Sequence, residues 1–163
     1  ERPLMKPVSV GLRYPLKLKD RKNINLYYYD QKEGWQFVPT ENNSERRVLM
    51  GEVKHLDAIA IIEDKMPPMI QSMHPGDHGK YPSLELNKFE FKIDDALSGF
   101  EPAESSFDLI LDQKPLIYAY QPKSKIISYQ LGRPLALGTH TLQLSIRDRA
   151  GNKINKKIEF KVY

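Results

Sequence analysis

The sequence predicts an all-β protein made of two tandem antiparallel β-sandwich domains. Apolar residues alternate with polar ones, as in Leu142, Leu144 and Ile146, and this period of two places one face of a strand in a core. Clusters of Gly, Asn and Asp such as 148–152 separate the alternating runs, and these residue types form tight turns. Because the 3.6-residue period of helices is nearly absent, we predict strands joined by turns.

The first domain, residues 1–63, is predicted to contain five short strands. Val8, Val10 and Leu12 alternate until Pro15, because proline lacks the amide that a strand donates. The later strands are predicted at 24–29, 35–38, 48–53 and 58–62, and turns are predicted at 30–34 and 42–44. The chain opens on Glu1 instead of Met, and we expect it to be a piece of a longer polypeptide with earlier strands of this domain upstream.

A change of composition at 63–68 marks the boundary between the two domains. Pro67 and Pro68 are adjacent there, and consecutive prolines hold the backbone extended and semi-rigid. Such a join suits a spacer.

The second domain, residues 64–163, carries about seven predicted strands. They lie at 69–73, 84–93, 107–111, 116–120, 126–129, 142–146 and 158–162. The second has a slip at Asn87 and Lys88 that suggests a bulge or a corner where the strand changes partners. Gly151 can take the positive φ that the last hairpin turn needs. Seven strands in about a hundred residues are typical of an immunoglobulin-like sandwich.

Composition excludes several functions. The net charge of +4 is divided evenly between the domains, whereas a nucleic-acid binder concentrates Lys and Arg on one face or tail. Cysteine is absent, so no disulfide or thiolate chemistry is expected. No apolar run approaches the ~20 residues that cross a bilayer, and no nucleophile elbow, zinc-protease helix or phosphate loop is present. We therefore predict no catalytic residues and no nucleic-acid partner.

Three aromatic residues support an alternative function in carbohydrate or peptidoglycan binding. Tyr27, Tyr29 and Trp35 lie on adjacent predicted strands, and flat aromatic faces stack on sugar rings. Cross-strand packing explains the same aromatics. Packing is the preferred interpretation, and a glycan platform is kept as the alternative.

Four polar residues in predicted turns are candidate calcium ligands. Asp94, Asp95, Asp148 and Asn152 would lie at neighbouring sheet ends, and carboxylate and amide oxygens are what calcium takes. Turn capping explains the same residues. We therefore expect no cofactor, with calcium as the alternative.

Three successive stretches of the first domain carry a resemblance to a known family. They are Leu26–Asp30, which is rich in tyrosine, Gly34–Pro39 with its tryptophan, and Gly51–Ala60 with its His-Leu pair. Together they resemble a recurring pattern of bacterial surface proteins. Their ending is similar to the β-sandwich module of netrin receptors, ankyrins and adhesion-receptor autoproteolysis domains.

That resemblance implies a degenerate self-cleavage motif at His55, Leu56 and Asp57. Some family members cut their backbone after His-Leu or His-Phe, where a Ser or Thr hydroxyl attacks the preceding carbonyl. His55 and Leu56 match this motif, but Asp57 has no hydroxyl. The resemblance therefore implies an inactive site. We expect His55 instead to be a strand residue that anchors a turn by hydrogen bonding.

The second domain resembles the bacterial immunoglobulin-like repeats that carry D-D-x-S-G and D-x-A-G-N motifs. The matching stretches are Asp94–Phe100, Asp112–Leu116 and Gly138–Asn152, and Gln113 replaces the common glycine of the second. These repeats occur in large secreted or envelope-bound bacterial proteins. The resemblance implies a noncatalytic extracytoplasmic module that acts as spacer and protein-interaction or adhesion region. Its expected partner is a protein of the cell envelope or another domain of the parent protein, or else a glycan.

Overall fold

The computed structural model describes residues 4–19, 22–55, 58–101 and 106–163, and it confirms the all-β prediction. These residues form fifteen strands, a 3-10 turn at Leu16–Leu18 and no α-helix. In chain order the strands are β1 (Val8–Arg13), β2 (Ile24–Asp30), β3 (Gly34–Val38), β4 (Thr40–Asn43), β5 (Val48–Val53), β6 (Ile59–Glu63), β7 (Met69–His74), β8 (Lys80–Tyr81), β9 (Lys88–Asp94), β10 (Phe107–Leu111), β11 (Lys114–Pro115), β12 (Ala119–Gln121), β13 (Ile126–Gln130), β14 (Gly138–Arg147) and β15 (Lys153–Val162). No helix in these ranges has the length and hydropathy needed to span a membrane.

The chain divides into two compact units. Unit 1 comprises Glu1–Met66, Ala96–Gly99 and Arg149–Asn152, and unit 2 comprises Pro67–Asp95, Phe100–Asp148 and Lys153–Tyr163. The sequence did not indicate that the two short segments at 96–99 and 149–152 would belong to unit 1. The assignment of residues 1–63 and 64–163 to separate folding domains stays a prediction.

Unit 1 is built from two three-stranded antiparallel sheets, β1-β5-β4 and β3-β2-β6. Its buried core consists of Tyr14, Ile24, Leu26, Val38, Leu49 and Val53. The turn predicted at 42–44 is wrong in part, because Asn42 and Asn43 lie in β4. The Tyr14 hydroxyl donates to Asn42 Oδ1 at 2.8 Å, which holds this short strand against the core. Gly51 has no room for a side chain, since a Cβ there would lie 2.9 Å from the Pro39 carbonyl oxygen.

Unit 2 has two sheets with a large apolar core, as in an immunoglobulin-like sandwich. One sheet has the order β11-β10-β14-β15-β8 and the other β12-β13-β9-β7. All pairs are antiparallel except β15 with β8. The predicted final hairpin is confirmed, because β14 and β15 pair over ten residues each, and Gly151 has φ 93°. Phe89, Phe91, Leu109 and Phe160 are among the residues buried in this core.

Two predicted strands of unit 2 are wrong in part. Leu84 and Leu86 lie in a turn, in which the Leu86 amide bonds to the Pro82 carbonyl at 3.2 Å. Only the end of the predicted strand 116–120 is a strand, because β11 ends at Pro115 and β12 begins at Ala119. These two short strands lie in different sheets, since β11 pairs with β10 and β12 pairs with β13. The bulge is also displaced from Asn87 and Lys88, since the register shift lies in β7 between Ile70 and Ser72.

Candidate functional site

A cleft of about 750 Å³ opens in unit 1. It is lined by residues of β1 and β5 and by the corner where the chain passes from β3 to β4 at Pro39. Phe37, Met50 and Val53 contribute apolar surface to its lining. A concave and largely apolar site with a few polar groups is the usual form of a binding pocket. This cleft is therefore the candidate functional site.

An aromatic stack forms one wall of the cleft. Tyr28 on β2 and His55, which follows β5, have ring centroids 5.5 Å apart and an interplanar angle of 10°. Burial and then the nearby Asp30 carboxylate raise the pKa of Tyr28, so its phenol remains a proton donor at neutral pH. His55 thus contributes a ring face to the cleft. Leu56 and Asp57 of the predicted self-cleavage motif lie outside the described residues.

Two carboxylates stand on the rim of the cleft. Glu41 on β4 and Glu52 on β5 are exposed, as is Lys54. In the ranges that the structure covers, neither glutamate has an ion-pair partner. An apolar lining beneath two unpaired carboxylates suits a ligand that carries both apolar groups and a cation.

The three aromatics predicted as a sugar platform have different surroundings. Tyr27 is 0% exposed and lies edge-on to Phe37 at 5.6 Å, while the Arg149 guanidinium lies over the Phe37 ring. A ring buried in this way cannot stack on a ligand, so Tyr27 is removed from the predicted platform. Tyr29 is exposed and Trp35 half-buried, with ring centroids 5.3 Å apart at 72°. These two rings are accessible in part, but they do not form one flat surface.

The four predicted calcium ligands are only partly brought together. Asp95 and Asp148 of unit 2 present carboxylate oxygens within 4.8 Å of each other. Asp94 instead accepts from Lys125 Nζ at 2.5 Å and from Gln71 Nε2 at 2.9 Å, and the lysine lowers the pKa of Asp94. Asn152 of unit 1 accepts from Asn23 and donates to the Asp64 carbonyl oxygen. The ion pair and these hydrogen bonds give Asp94 and Asn152 structural roles, and calcium stays the alternative to the prediction of no cofactor.

Sequence reasoning missed an ionic pair in unit 2 between a buried histidine and an exposed aspartate. His140 on β14 is buried, with Nδ1 2.6 Å from Asp112 Oδ2 and Nε2 2.8 Å from the Ala136 carbonyl oxygen. Both partners are acceptors, so the ring makes both bonds only as imidazolium. Burial by itself lowers the pKa of His140, but the bonds to Ala136 and Asp112 outweigh it and raise this pKa. The pair joins the 112–113 turn and the loop before β14 to the sheet.

The raised pKa of His140 predicts how the stability of unit 2 depends on pH. The stabilisation is complete below the ordinary histidine pKa of about 6.5 and is lost as pH rises through the higher value of the folded protein. We expect the difference in unfolding free energy between the wild type and His140→Gln to shrink across that range. Urea unfolding at a series of pH values measures this difference. A ring titration by NMR below the ordinary value would contradict the prediction.

Comparisons with known proteins are remote. No protein-family model matches the sequence, and no curated protein matches it. Among solved structures the chain is similar to CopC from Methylosinus trichosporium OB3b, with 14% identity and a TM-score of 0.47 over 58% of this chain and 92% of CopC. PcoC, a methionine-rich copper resistance protein from Escherichia coli, is 15% identical with a TM-score of 0.47 over 60% of this chain and 100% of PcoC. Dimeric latent PorU from Porphyromonas gingivalis is 18% identical with a TM-score of 0.46 over 76% of this chain and 13% of PorU. At TM-scores below 0.5, these likenesses carry no argument about ligand or activity.

Proposed function

We propose that the chain is a noncatalytic interaction module of a larger bacterial surface or secreted protein. In this proposal unit 1 binds a polypeptide partner in its cleft, outside the cytoplasm. The observation that carries the proposal is the juxtaposition of the Tyr28–His55 stack with the unpaired rim carboxylates Glu41 and Glu52. The partner it fits is a peptide segment with basic and apolar side chains.

The titratable groups of the described residues support a noncatalytic role. Catalytic groups are recognised by a shifted pKa in a cleft that also holds a reacting partner. Here the pKa of Asp30 is lowered by the amides of Glu33 and Lys32 in the turn it caps. The pKa of Asp77 is lowered first by the Glu159 amide. Both shifts have structural causes, and neither carboxylate lines the cleft.

The spacer part of the proposal depends on the backbone between the units. The chain leaves β6 and enters β7 through Pro67 and Pro68, and this dipeptide favours an extended conformation. The likeness of the second half to bacterial immunoglobulin-like repeats supports an extracytoplasmic location and an adhesion role for the parent protein.

The exposed Tyr29–Trp35 pair favours glycan binding as the second candidate. Both rings retain some accessibility, and aromatic faces next to polar groups suit sugars. Their 72° angle allows only one ring at a time to stack flat on a sugar. We therefore rank this function below peptide binding.

A heptapeptide of alternating lysine and valine is the probe for peptide binding. Fluorescence anisotropy is expected to show binding to the full chain, and a glutamate-valine peptide is expected to bind much more weakly. The double variant Glu41→Gln, Glu52→Gln removes two charged acceptors, and we expect it to weaken the binding of the lysine peptide by about tenfold or more. Glu45→Gln, an exposed glutamate of unit 1 outside the cleft, is the matched control and should bind like the wild type.

Two outcomes would overturn this function. Equal binding of the two peptides would remove the role of the rim carboxylates. Binding of a chitooligosaccharide alone, with loss in Trp35→Ala and retained fold, would replace peptide recognition by glycan recognition.

A further inference from the structure

We propose that one end of unit 2 docks on the surface of a bilayer that contains anionic lipids. This apical end consists of the turn 82–87, the loop 131–137 and the segment 112–114. It presents exposed leucines beside unpaired cations. The proposal concerns a different site from the cleft of unit 1 and does not depend on it.

The two longer segments of the apical end are joined into one rigid surface. Ser83 Oγ donates to the Leu135 carbonyl oxygen at 2.8 Å, and the Leu131 amide donates to the Asn87 carbonyl oxygen at 2.9 Å. His140 anchors the loop again through the Ala136 carbonyl oxygen. A surface held by three such bonds is formed before any partner arrives.

Each of these two segments directs one leucine into the core and one into solvent. Leu86 is buried and Leu135 packs against the core, so they anchor the turn and the loop. Leu84 and Leu137 are 85% and 73% exposed. Their exposure is not required for folding, because the anchoring is done by their neighbours. At a bilayer interface, binding strengthens with the apolar area that is buried there and with the attraction of basic groups to anionic lipids.

The charges at the apical end complement anionic headgroups. A cleft of about 590 Å³ lies between the 112–113 turn and the loop, and Lys114 and Arg133 are among its lining residues. Both cations are exposed, and neither pairs with an acidic group of the described residues. Asp112 is the one acidic residue of the described lining, and it is bound to His140. The cleft is therefore net positive and can take a lipid phosphate group.

The alternatives fit the surface less well. Nucleic acid is held by a run of phosphate contacts, whereas this cleft offers two unpaired cations. A protein partner would bury a contiguous apolar patch with complementary packing, whereas Leu84 and Leu137 project from separate loops. One exposed carboxylate, Glu85, lies next to Leu84 and opposes the attraction, so its removal should strengthen binding.

Vesicle co-sedimentation of the full chain tests the proposal. At low salt the chain is expected to sediment with phosphatidylglycerol vesicles and to remain in solution with phosphatidylcholine vesicles. Basic residues near an anionic membrane add favourable electrostatic attraction, so Lys114→Gln with Arg133→Gln should weaken the binding by about tenfold or more. Leu84→Asp with Leu137→Asp should abolish it, and Glu85→Gln should strengthen it.

A matched control changes an exposed apolar residue elsewhere in unit 2. Met69 at the start of β7 is 52% exposed and pairs with Asp94, at the end of β9 remote from Asn87. Met69→Asp should bind vesicles like the wild type. The proposal is overturned if the wild type does not sediment with phosphatidylglycerol vesicles, or if the double leucine variant binds them as well as the wild type does. The Glu41, Glu52 double variant should still bind vesicles, so failure here and failure of peptide binding are distinguishable.

Discussion

Replacement of Phe160 by alanine is expected to lower the unfolding free energy of unit 2 by about 3–5 kcal/mol. Phe160 on β15 is buried and lies edge-on to Phe89 and Tyr81, with centroids 6.0 and 6.2 Å apart. Its other neighbour is the stacked His140 ring at 5.6 Å. The alanine variant would lose this packing and leave a cavity that the rigid sheets cannot fill.

Urea unfolding followed by circular dichroism measures the change, and amide exchange of β14 and β15 locates it in unit 2. Lys161→Ala, the next residue on the same strand, is exposed and serves as the control, with an expected change within about 0.5 kcal/mol. A Phe160→Ala effect as small as that of the control would show that the ring does not support the core.

Replacement of Leu26 by alanine is expected to destabilise unit 1 by about 2–5 kcal/mol. Leu26 on β2 is fully buried in the core between the two three-stranded sheets. The backbone amide of Leu26 donates a hydrogen bond to Thr40 Oγ1 at 3.0 Å. Loss of the side chain therefore opens a cavity beside a hydrogen bond that joins β2 to β4.

Trp35 is the only tryptophan of the chain and lies in unit 1, so its fluorescence during urea unfolding reports on this unit. Lys32→Ala, in the exposed turn between β2 and β3, is the control and should leave the midpoint nearly unchanged. If Leu26→Ala and Lys32→Ala had the same midpoint, the assignment of Leu26 to the core would be wrong.

The candidate site could be predicted only in fragments. The sequence pattern placed Tyr28 on a strand and His55 after one, but their stacking requires two sheets to approach each other. Glu41 lies in a segment next to a predicted turn, and the structure extends that segment as β4. The cleft was missed because its lining comes from strands that are distant in sequence, and period two carries no information on which strands become neighbours.

The predicted aromatic platform was also limited by what alternation along a strand can show. Alternation correctly put Tyr27 on the face of β2 opposite Leu26. Alternation could not show that this face would be covered. Tyr27 packs edge-on against Phe37, and the Phe37 ring lies under the guanidinium of Arg149. Arg149 is more than a hundred positions away in the chain. The platform prediction therefore included one ring that is not accessible.

Local chemistry sufficed for the all-β class and for most of the strands and turns. Side-chain direction along a strand follows from backbone geometry, and turn residues act through their own φ angles and short-range hydrogen bonds. The burial of Tyr27 was seen only in the tertiary structure. The same holds for the ion pair of Asp94 with Lys125 and for that of His140 with Asp112. The reason is that burial and pairing depend on what packs against a surface, and that partner lies far away in sequence.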